Sequence, residues 1–132
     1  MTPDGRARVR TVAQAVGAAA EDLVAERLAA AGWVILARRI RVGRGELDIV
    51  AVDPGPPRQL VIVEVRWRGR RDFGLPEESL DRHKRKHLRA SMSRLYADGL
   101  PDGVALPHLP LRVDLVVAEP GDRIRHHRHI AL

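Results

Sequence analysis

Two carboxylates interrupt neighbouring apolar segments of this sequence. Asp48 lies within GELDIVA (45–51), and Glu64 lies within VIVEVRW (61–67). Burial of an unpaired charge costs several kcal/mol or shifts the pKa of the group, so each carboxylate needs a cation, a proton or a metal ion. Two such acids facing each other would offer hard oxygen ligands to a divalent ion such as Mg²⁺ or Mn²⁺.

Both segments are predicted to be strands of one hairpin, joined by the turn DPGPP at 53–57. Side chains alternate along a strand, so Asp48 shares a face with Glu46, while Glu64 shares a face with Arg66. The residues alone leave two interpretations open. Either the two acids form a ligand site, or Glu64 and Arg66 form a structural ion pair at a strand end and Asp48 is a solvated edge residue.

A first helix is predicted over 13–31, where the alanine-rich sequence places apolar residues at helical spacing. Gly32 follows as a natural C-terminal stop. On a helical wheel, Glu21 lies at the border of the apolar stripe. There it either snorkels to solvent, or it reaches over the sheet toward Asp48 and Glu64.

A second helix is predicted from Pro76 to Ala97. Lys84 lies on the apolar line of this helix, where it either snorkels to solvent or points into a site. The apolar line itself consists of Leu80, Leu88, Met92 and Leu95.

The remaining strands predict a mixed sheet. Segments 33–36 and 40–42 reach the hairpin through short connections, which favours an antiparallel meander. Segment 111–118 follows the second helix, so a right-handed crossover would place it parallel to the strand of Glu64. A last strand is predicted over 124–130. Its histidines alternate between faces, which favours a polar edge strand over a metal cluster; they are His126, His127 and His129.

Length and composition favour one cytoplasmic domain. The 132 residues suffice for one core, with a predicted disordered tail at 1–11 and a single domain at 12–132. Cysteine is absent, which excludes disulfides and thiolate chemistry. No segment resembles a signal peptide or reaches the ~18 apolar residues of a membrane span, so we expect no membrane partner.

The basic residues of the chain are concentrated in two stretches. Lys and Arg total 23 against 17 acids, a net charge of +6, and 66–71 and 82–89 hold much of the excess. Local positive charge of this kind favours the phosphates of DNA or RNA, although arginines on solvated faces would give the same pattern. The candidate nucleic-acid-binding residues are Arg66, Arg68, Arg70, Arg71, Arg82, Lys84, Lys86 and Arg89.

Several motifs, in their order and spacing, resemble one protein family. They are G-x-x-x-E-D at 17–22, GELDIVA at 45–51, VIVEVRWR at 61–68, Phe73-Gly74, Lys84 with Leu88, and RVD at 112–114. Together they resemble the YraN family, also called UPF0102. That family is similar in fold to the PD-(D/E)xK, or restriction-endonuclease-like, nucleases, which include archaeal Holliday junction resolvases.

The resemblance implies a fold and a set of roles. The fold is α/β, with an αβββαβ core whose mixed central sheet is flanked by helices. Glu21 matches the helix acid, Asp48 the acid of the second strand and Glu64 the acid of the third strand, and together these hold Mg²⁺ or Mn²⁺. The implied partner is DNA or RNA, structured or branched, and a homodimer is compatible with the analogy.

The sequence departs from the nuclease pattern at one position. Arg66 stands where these nucleases have a lysine, which positions the attacking water or stabilises the phosphate. Arginine supplies positive charge but does not replace an ammonium group atom for atom. Lys84 is therefore the candidate to supply the lysine. Two alternatives to a metal-dependent endonuclease stay open: a non-catalytic nucleic-acid-binding module, and a basic assembly protein.

Overall fold

The computed structural model of the protein describes residues 11–69 and 81–132. Within these ranges the chain forms two helices and five strands. Their bounds are α1 Val12–Ala30, β1 Val34–Val42, β2 Gly45–Asp53, β3 Gln59–Trp67, α2 Arg82–Asp98, β4 Leu111–Glu119 and β5 Arg123–His127. Arg70, Arg71 and the predicted helix start at Pro76 lie outside the described residues.

The five strands form one mixed sheet in the order β1-β2-β3-β4-β5. β1, β2 and β3 are antiparallel neighbours, β4 lies parallel to β3, and β5 is antiparallel to β4. The connection from β3 through α2 to β4 is the crossover that a parallel pair requires. The α/β class, the αβββαβ core and the mixed sheet between helices are therefore confirmed, with β5 added at the edge.

The two helices cover opposite faces of the sheet. Val24 and Leu28 of α1 pack with Val61 and Val63, whereas Leu88 of α2 packs in the cluster that contains the even-numbered β3 residues Leu60 and Ile62. Because side chains alternate along a strand, Glu64 shares the α2 face with Leu60 and Ile62. The face on which Glu64 lies is thus set by this alternation. Neither described helix is long and apolar enough to cross a membrane.

The helix ends differ from the sequence-based expectation. Thr11, which was assigned to the disordered tail, is the N-cap of α1, and its side chain accepts a hydrogen bond from the backbone N–H of Gln14 at 3.1 Å. α2 begins at Arg82, because Asp81 has an extended backbone and its side chain accepts from the backbone N–H of Lys84 at 2.8 Å. The prediction of one uninterrupted helix from Pro76 to Ala97 is therefore wrong.

The strands are longer or shorter than predicted at two places. β1 is continuous from Val34 to Val42 rather than split, with a register shift between Ile35 and Ala37. Such a bulge lets a strand absorb an extra residue without ending. β5 ends at His127 rather than Ile130.

A buried ionic cluster ties β2, β4 and the segment after β5 together. The Arg112 guanidinium, 6% exposed, lies 2.7 Å from Asp53 and 2.9 Å from Asp114. His126 lies 2.8 Å from Asp114, and Arg128 lies 3.0 Å from Asp53. Burial alone would raise the pKa of Asp114, but the hydrogen bonds from His126 and Arg112 outweigh it and lower the pKa to about 2. The RVD motif is thus a structural element of the fold.

Removal of the central arginine should strongly destabilise the fold. We expect Arg112→Gln to lower the free energy of unfolding by about 3–5 kcal/mol, because Asp53 and Asp114 would stay buried without their main cation. Arg128→Gln is the matched control, since Arg128 is 58% exposed and an exposed pair contributes at most about 1 kcal/mol. Urea unfolding at neutral pH measures both. Equal losses in the two variants would contradict the central role of Arg112.

Candidate active site

The sheet opens between β2 and β3 at the two carboxylates. The β2–β3 ladder runs from Asp53 opposite Gln59 to Ile49 opposite Val63 and ends there. Beyond that point, β2 stays paired with β1 as far as Gly45, and β3 stays paired with β4 as far as Trp67. The next residues on the two diverging strands are Asp48 and Glu64. The fork therefore places both acids at the base of an opening in the sheet.

Asp48 takes the place of a backbone acceptor at this fork. Its Oδ2 accepts a hydrogen bond from the backbone N–H of Val65 at 2.8 Å, where a continued ladder would supply a carbonyl oxygen. Burial raises the pKa of Asp48, although the Val65 hydrogen bond and the charge of Lys84 oppose this shift. The hydrogen bond fixes one carboxylate oxygen at the fork.

Glu64 is the most deeply buried of the acids at the fork, with 1% of its surface exposed. Its Oε1 lies 2.9 Å from Lys84 Nζ and 3.7 Å from Arg66 Nη2. Its Oε2 is buried and has no hydrogen-bond partner among the described residues. Burial raises the pKa of Glu64, the charge of Asp48 raises it further, and Lys84 lowers it.

Lys84 reaches Glu64 because α2 lies close against the start of β2. A Cβ on Gly45 would meet Ser91 Oγ at 2.5 Å, so the glycine allows this close approach of α2. Leu88, one turn after Lys84, is buried in the core beneath the helix. Of the two interpretations of Lys84, the structure selects the one in which the side chain points into the site.

Glu21 lies on the other side of the fork and is held by arginines of β1. Its Oε1 accepts from Arg39 Nε at 3.0 Å and from Arg38 Nη2 at 3.3 Å. Neighbouring strand residues normally point to opposite faces, but Arg39 has a φ of 51°, and this breaks the alternation. Burial raises the pKa of Glu21, Arg39 lowers it, and the charge of Asp48 raises it. The two carboxylates are therefore close enough for the charge of Asp48 to act on Glu21.

The structure brings some of the predicted residues together and separates others. Asp48, Glu64, Arg66 and Lys84 meet at the fork. In the described parts of the chain, no group of three His, Asp or Glu side chains is arranged to hold a metal ion. Arg38 and Arg39 engage Glu21 Oε1, and the role of Glu21 as a third metal ligand stays a prediction.

The two remaining acids still have the donor chemistry that a divalent ion needs. Both are carboxylates, which suit Mg²⁺ and Mn²⁺. Glu64 Oε2 lacks a partner among the described residues, so a cation would satisfy a buried acceptor that the protein leaves unmatched. Burial raises the pKa values of both acids, and the charges of Lys84 and Arg66 do not fully offset it. The residues present therefore fit such an ion.

The predicted nucleic-acid-binding residues lie on two elements. Arg82, Lys86 and Arg89 are exposed on α2, on the sides of the helix turned away from the core, and Arg68 follows β3. Arg70 and Arg71 lie outside the described residues. The histidines do not form a metal cluster within the described ranges, and His126 contacts Asp114 instead.

Sequence reasoning missed the arginines that hold Glu21. The signal was present in the consecutive Arg38 and Arg39 inside strand 34–42, whose remaining residues are apolar apart from Arg41. Two adjacent charges in a strand next to a helix with a border glutamate indicate an ion pair across the two elements. The backbone irregularity at Arg39, which lets both side chains reach one carboxylate, has no equivalent signal in the sequence.

The fold and the site define a class of protein, and the comparisons place the chain in a family. The described residues form a mixed α/β protein with two acids and a lysine where its sheet opens. The sequence profile of the Uncharacterised protein family UPF0102 matches residues 20–118, so the chain belongs to this family. The match contains Glu21, Asp48 and Glu64.

Relatives from distant bacteria support the assignment. The chain is 42% identical over 106 residues to a UPF0102 protein of Symbiobacterium thermophilum, which covers 80% of this chain and 83% of that protein. It is 36% identical over 107 residues to one from Dehalococcoides mccartyi, covering 79% and 82%. With one from Erythrobacter litoralis, identity is 31% over 117 residues, covering 89% and 92%.

The shortage of positive charge at the fork should lower stability at neutral pH. The folded-state pKa of Glu64 lies above its ordinary value of 4.5, so this group stabilises the fold below that pH and loses the contribution as pH rises. We therefore expect Glu64→Gln to raise the free energy of unfolding at pH 7 by about 0.5–2 kcal/mol. Glu46→Gln is the matched control, because Glu46 is an exposed acid of β2 two residues before Asp48. It should change the free energy of unfolding by less than about 0.5 kcal/mol.

Urea unfolding over a range of pH measures this effect. The difference between wild type and Glu64→Gln should shrink as the pH falls toward 4.5, because the wild-type carboxyl then becomes neutral as well. A Glu64→Gln variant that is less stable than wild type at pH 7 would show that the pair with Lys84 fully compensates the burial of Glu64.

Proposed function

We propose that the protein binds nucleic acid and hydrolyses phosphodiester bonds with a divalent metal ion. The observation that carries this proposal is the buried Glu64, with Oε2 unmatched among the described residues, beside Asp48 and a lysine. A purely structural core has no need for two acids of raised pKa at the point where a sheet opens. The resemblance of the motifs to nucleases with a metal site at this place adds support.

Asp48 and Glu64 are the residues that would hold the ion. When bound, a divalent ion supplies a more acidic water and neutralises negative charge that develops on the phosphate. The Val65 N–H holds Asp48 Oδ2, and Lys84 holds Glu64 Oε1. Both carboxylates are thereby oriented by the protein before any ligand arrives, which is the role of supporting contacts around a metal site.

Lys84 and Arg66 supply positive charge beside the acids. The side chain of Lys84 is 32% exposed and that of Arg66 is 34% exposed, whereas Glu64 is buried beneath them. A phosphate that approaches the fork from solvent would therefore meet these two cations. Lys84 carries the ammonium group that Arg66 cannot provide at the third-strand position. The lysine of the site comes from α2 under this proposal.

Glu21 has a positioning role rather than a ligand role in this proposal. Its carboxylate is engaged by Arg38 and Arg39, and it acts on Asp48 through charge. A negative group near Asp48 increases the demand of the site for a cation. The exposed cations of α2 would hold the phosphate backbone outside the fork; they are Arg82, Lys86 and Arg89.

A second candidate is a nucleic-acid-binding module without hydrolytic activity. The observation in its favour is the ion pair between Lys84 and Glu64 at 2.9 Å, which supplies a cation to the buried acid without any metal. The presence of Arg66 at the position of the nuclease lysine also favours this candidate. Under this candidate, the fork would bind a phosphate through Lys84 and Arg66. Addition of Mn²⁺ would then neither change the affinity for nucleic acid nor cause cleavage.

Metal-dependent cleavage separates the two candidates. We expect the wild type to cut branched, flapped or single-stranded DNA or RNA with Mn²⁺ or Mg²⁺ and to lose activity with a chelator. Glu64→Gln and Lys84→Ala should each lower the cleavage rate by at least about a hundredfold, as loss of one charged group at a reacting phosphate does. Arg94→Ala is the matched control on the same helix and should retain most activity, because Arg94 is 65% exposed and contacts Asp98 rather than the fork.

Binding of the ion itself provides a second measurement. Mn²⁺ should raise the Tm of the wild type and leave that of Glu64→Gln unchanged, because an ion that binds only the folded state stabilises it. Cleavage that survives Glu64→Gln would indicate a contaminating nuclease. Nucleic-acid binding without Glu64-dependent cleavage would favour the module. Under the same assay, retained activity of Lys84→Ala would remove Lys84 from the mechanism.

A further inference from the structure

A second basic site lies at the end of the sheet next to the fork. A cavity of about 650 Å³ is lined by arginines from the end of β3 and from β5, and by one acid at the end of β4. The charged residues of the lining are Arg68, Arg123, Arg125 and Glu119. Of these, Arg68 alone belongs to the basic stretches that the sequence marks.

The strand registers place this cavity on the same face of the sheet as Glu64. Arg66 lies opposite Val117 on β4, and Val117 lies opposite Arg125 on β5. Residues directly opposite one another share a face of the sheet, so Arg66 and Arg125 form one row across three strands. With about 4.8 Å between strands, their Cα atoms are about 10 Å apart. Glu64 precedes Arg66 by two residues on that face.

The cavity has a net positive charge and a fixed frame. Three guanidinium groups face one carboxylate, and Glu119 pairs with Arg125. The backbone N–H of Arg68 donates to the carbonyl oxygen of Ala118 at 2.9 Å, which joins the end of β3 to β4.

A hydrogen bond from α1, on the other face of the sheet, fixes the turn between β4 and β5. Arg27 of α1 donates to the carbonyl oxygen of Asp122 in this turn at 2.8 Å. The arginines of the cavity therefore project from elements whose backbones are fixed by hydrogen bonds. Planar guanidinium groups on a fixed frame match the oxygens of a phosphate.

We propose that this cavity binds a backbone phosphate of a nucleic acid, next to the phosphate that the fork engages. Its position relative to the reaction rests on the proposed function, whereas binding of the phosphate does not require hydrolysis. Arg123 and Arg125 donate to the phosphate, and Arg68 borders the path from the fork. Glu119 limits the affinity by neutralising part of the charge. One strand of the nucleic acid then crosses the sheet along the row from Arg66 to Arg125.

The test measures binding of a fluorescent single-stranded oligonucleotide by anisotropy over a range of salt, with a chelator present so that no cleavage occurs. Arg123→Gln and Arg125→Gln should each weaken binding and reduce the slope of log affinity against log salt by about 0.7. Glu119→Gln should strengthen binding, a gain that partial unfolding would not produce. Arg58→Gln removes the same charge from the exposed β2–β3 turn, at the other end of β3, and should leave the slope unchanged.

The outcomes separate this proposal from the proposed function. Slopes of Arg123→Gln and Arg125→Gln equal to that of Arg58→Gln would overturn the phosphate cavity, even if Glu64-dependent cleavage is observed. Slopes that fall as expected, together with an absence of Glu64-dependent cleavage in the separate assay with Mn²⁺, would support the cavity and count against hydrolysis. Inorganic phosphate should compete with the oligonucleotide for the wild type. Phosphate binding that depends on Arg123 but does not displace the oligonucleotide would assign the cavity to a free anion and overturn the proposal.

Discussion

The cost of burying the Glu64 carboxylate is the constraint on which the site depends. A charge that is 1% exposed needs compensation, and the chain provides it only in part through Lys84 and Arg66. Asp48 adds a second negative charge where the β2–β3 ladder ends. A well-packed apolar residue in place of Glu64 would serve the fold better. The arrangement is therefore understandable as an attraction for positive charge that the protein itself does not fully satisfy.

The two buried ionic groups of the molecule contrast in this respect. Around Arg112 the charges are balanced, and the pKa of Asp114 is lowered to about 2 although burial opposes this. At the fork the balance fails, and the pKa values of Asp48 and Glu64 are raised. The first cluster holds strands together, and the second leaves an acceptor unmatched among the described residues. Shifts of opposite sign thus separate a structural cluster from a candidate active site within one sheet.

Much of the fold could be predicted from the sequence, because apolar periodicity and turn residues mark most elements. The placement of Asp48 beside Glu64 followed from the hairpin, and the inward direction of Lys84 was one of two interpretations of its position on the apolar line of the helix. The position of Glu21 could not be settled, because it depends on Arg39, whose left-handed backbone overrides strand alternation. The start of α2 was missed because Asp81, a capping residue, outweighed the proline signal.

The cluster around Arg112 also bears on the order in which the chain folds during translation. Asp53 and Asp114 leave the ribosome before Arg128, the second arginine of the cluster, and before His126, which contacts Asp114. Until Arg128 emerges, Arg112 is the cation of this cluster that is available to the two acids. The full set of contacts around Asp53 and Asp114 therefore forms only after β5 and the residue that follows it have been made, later than the pairing of β4 with β3.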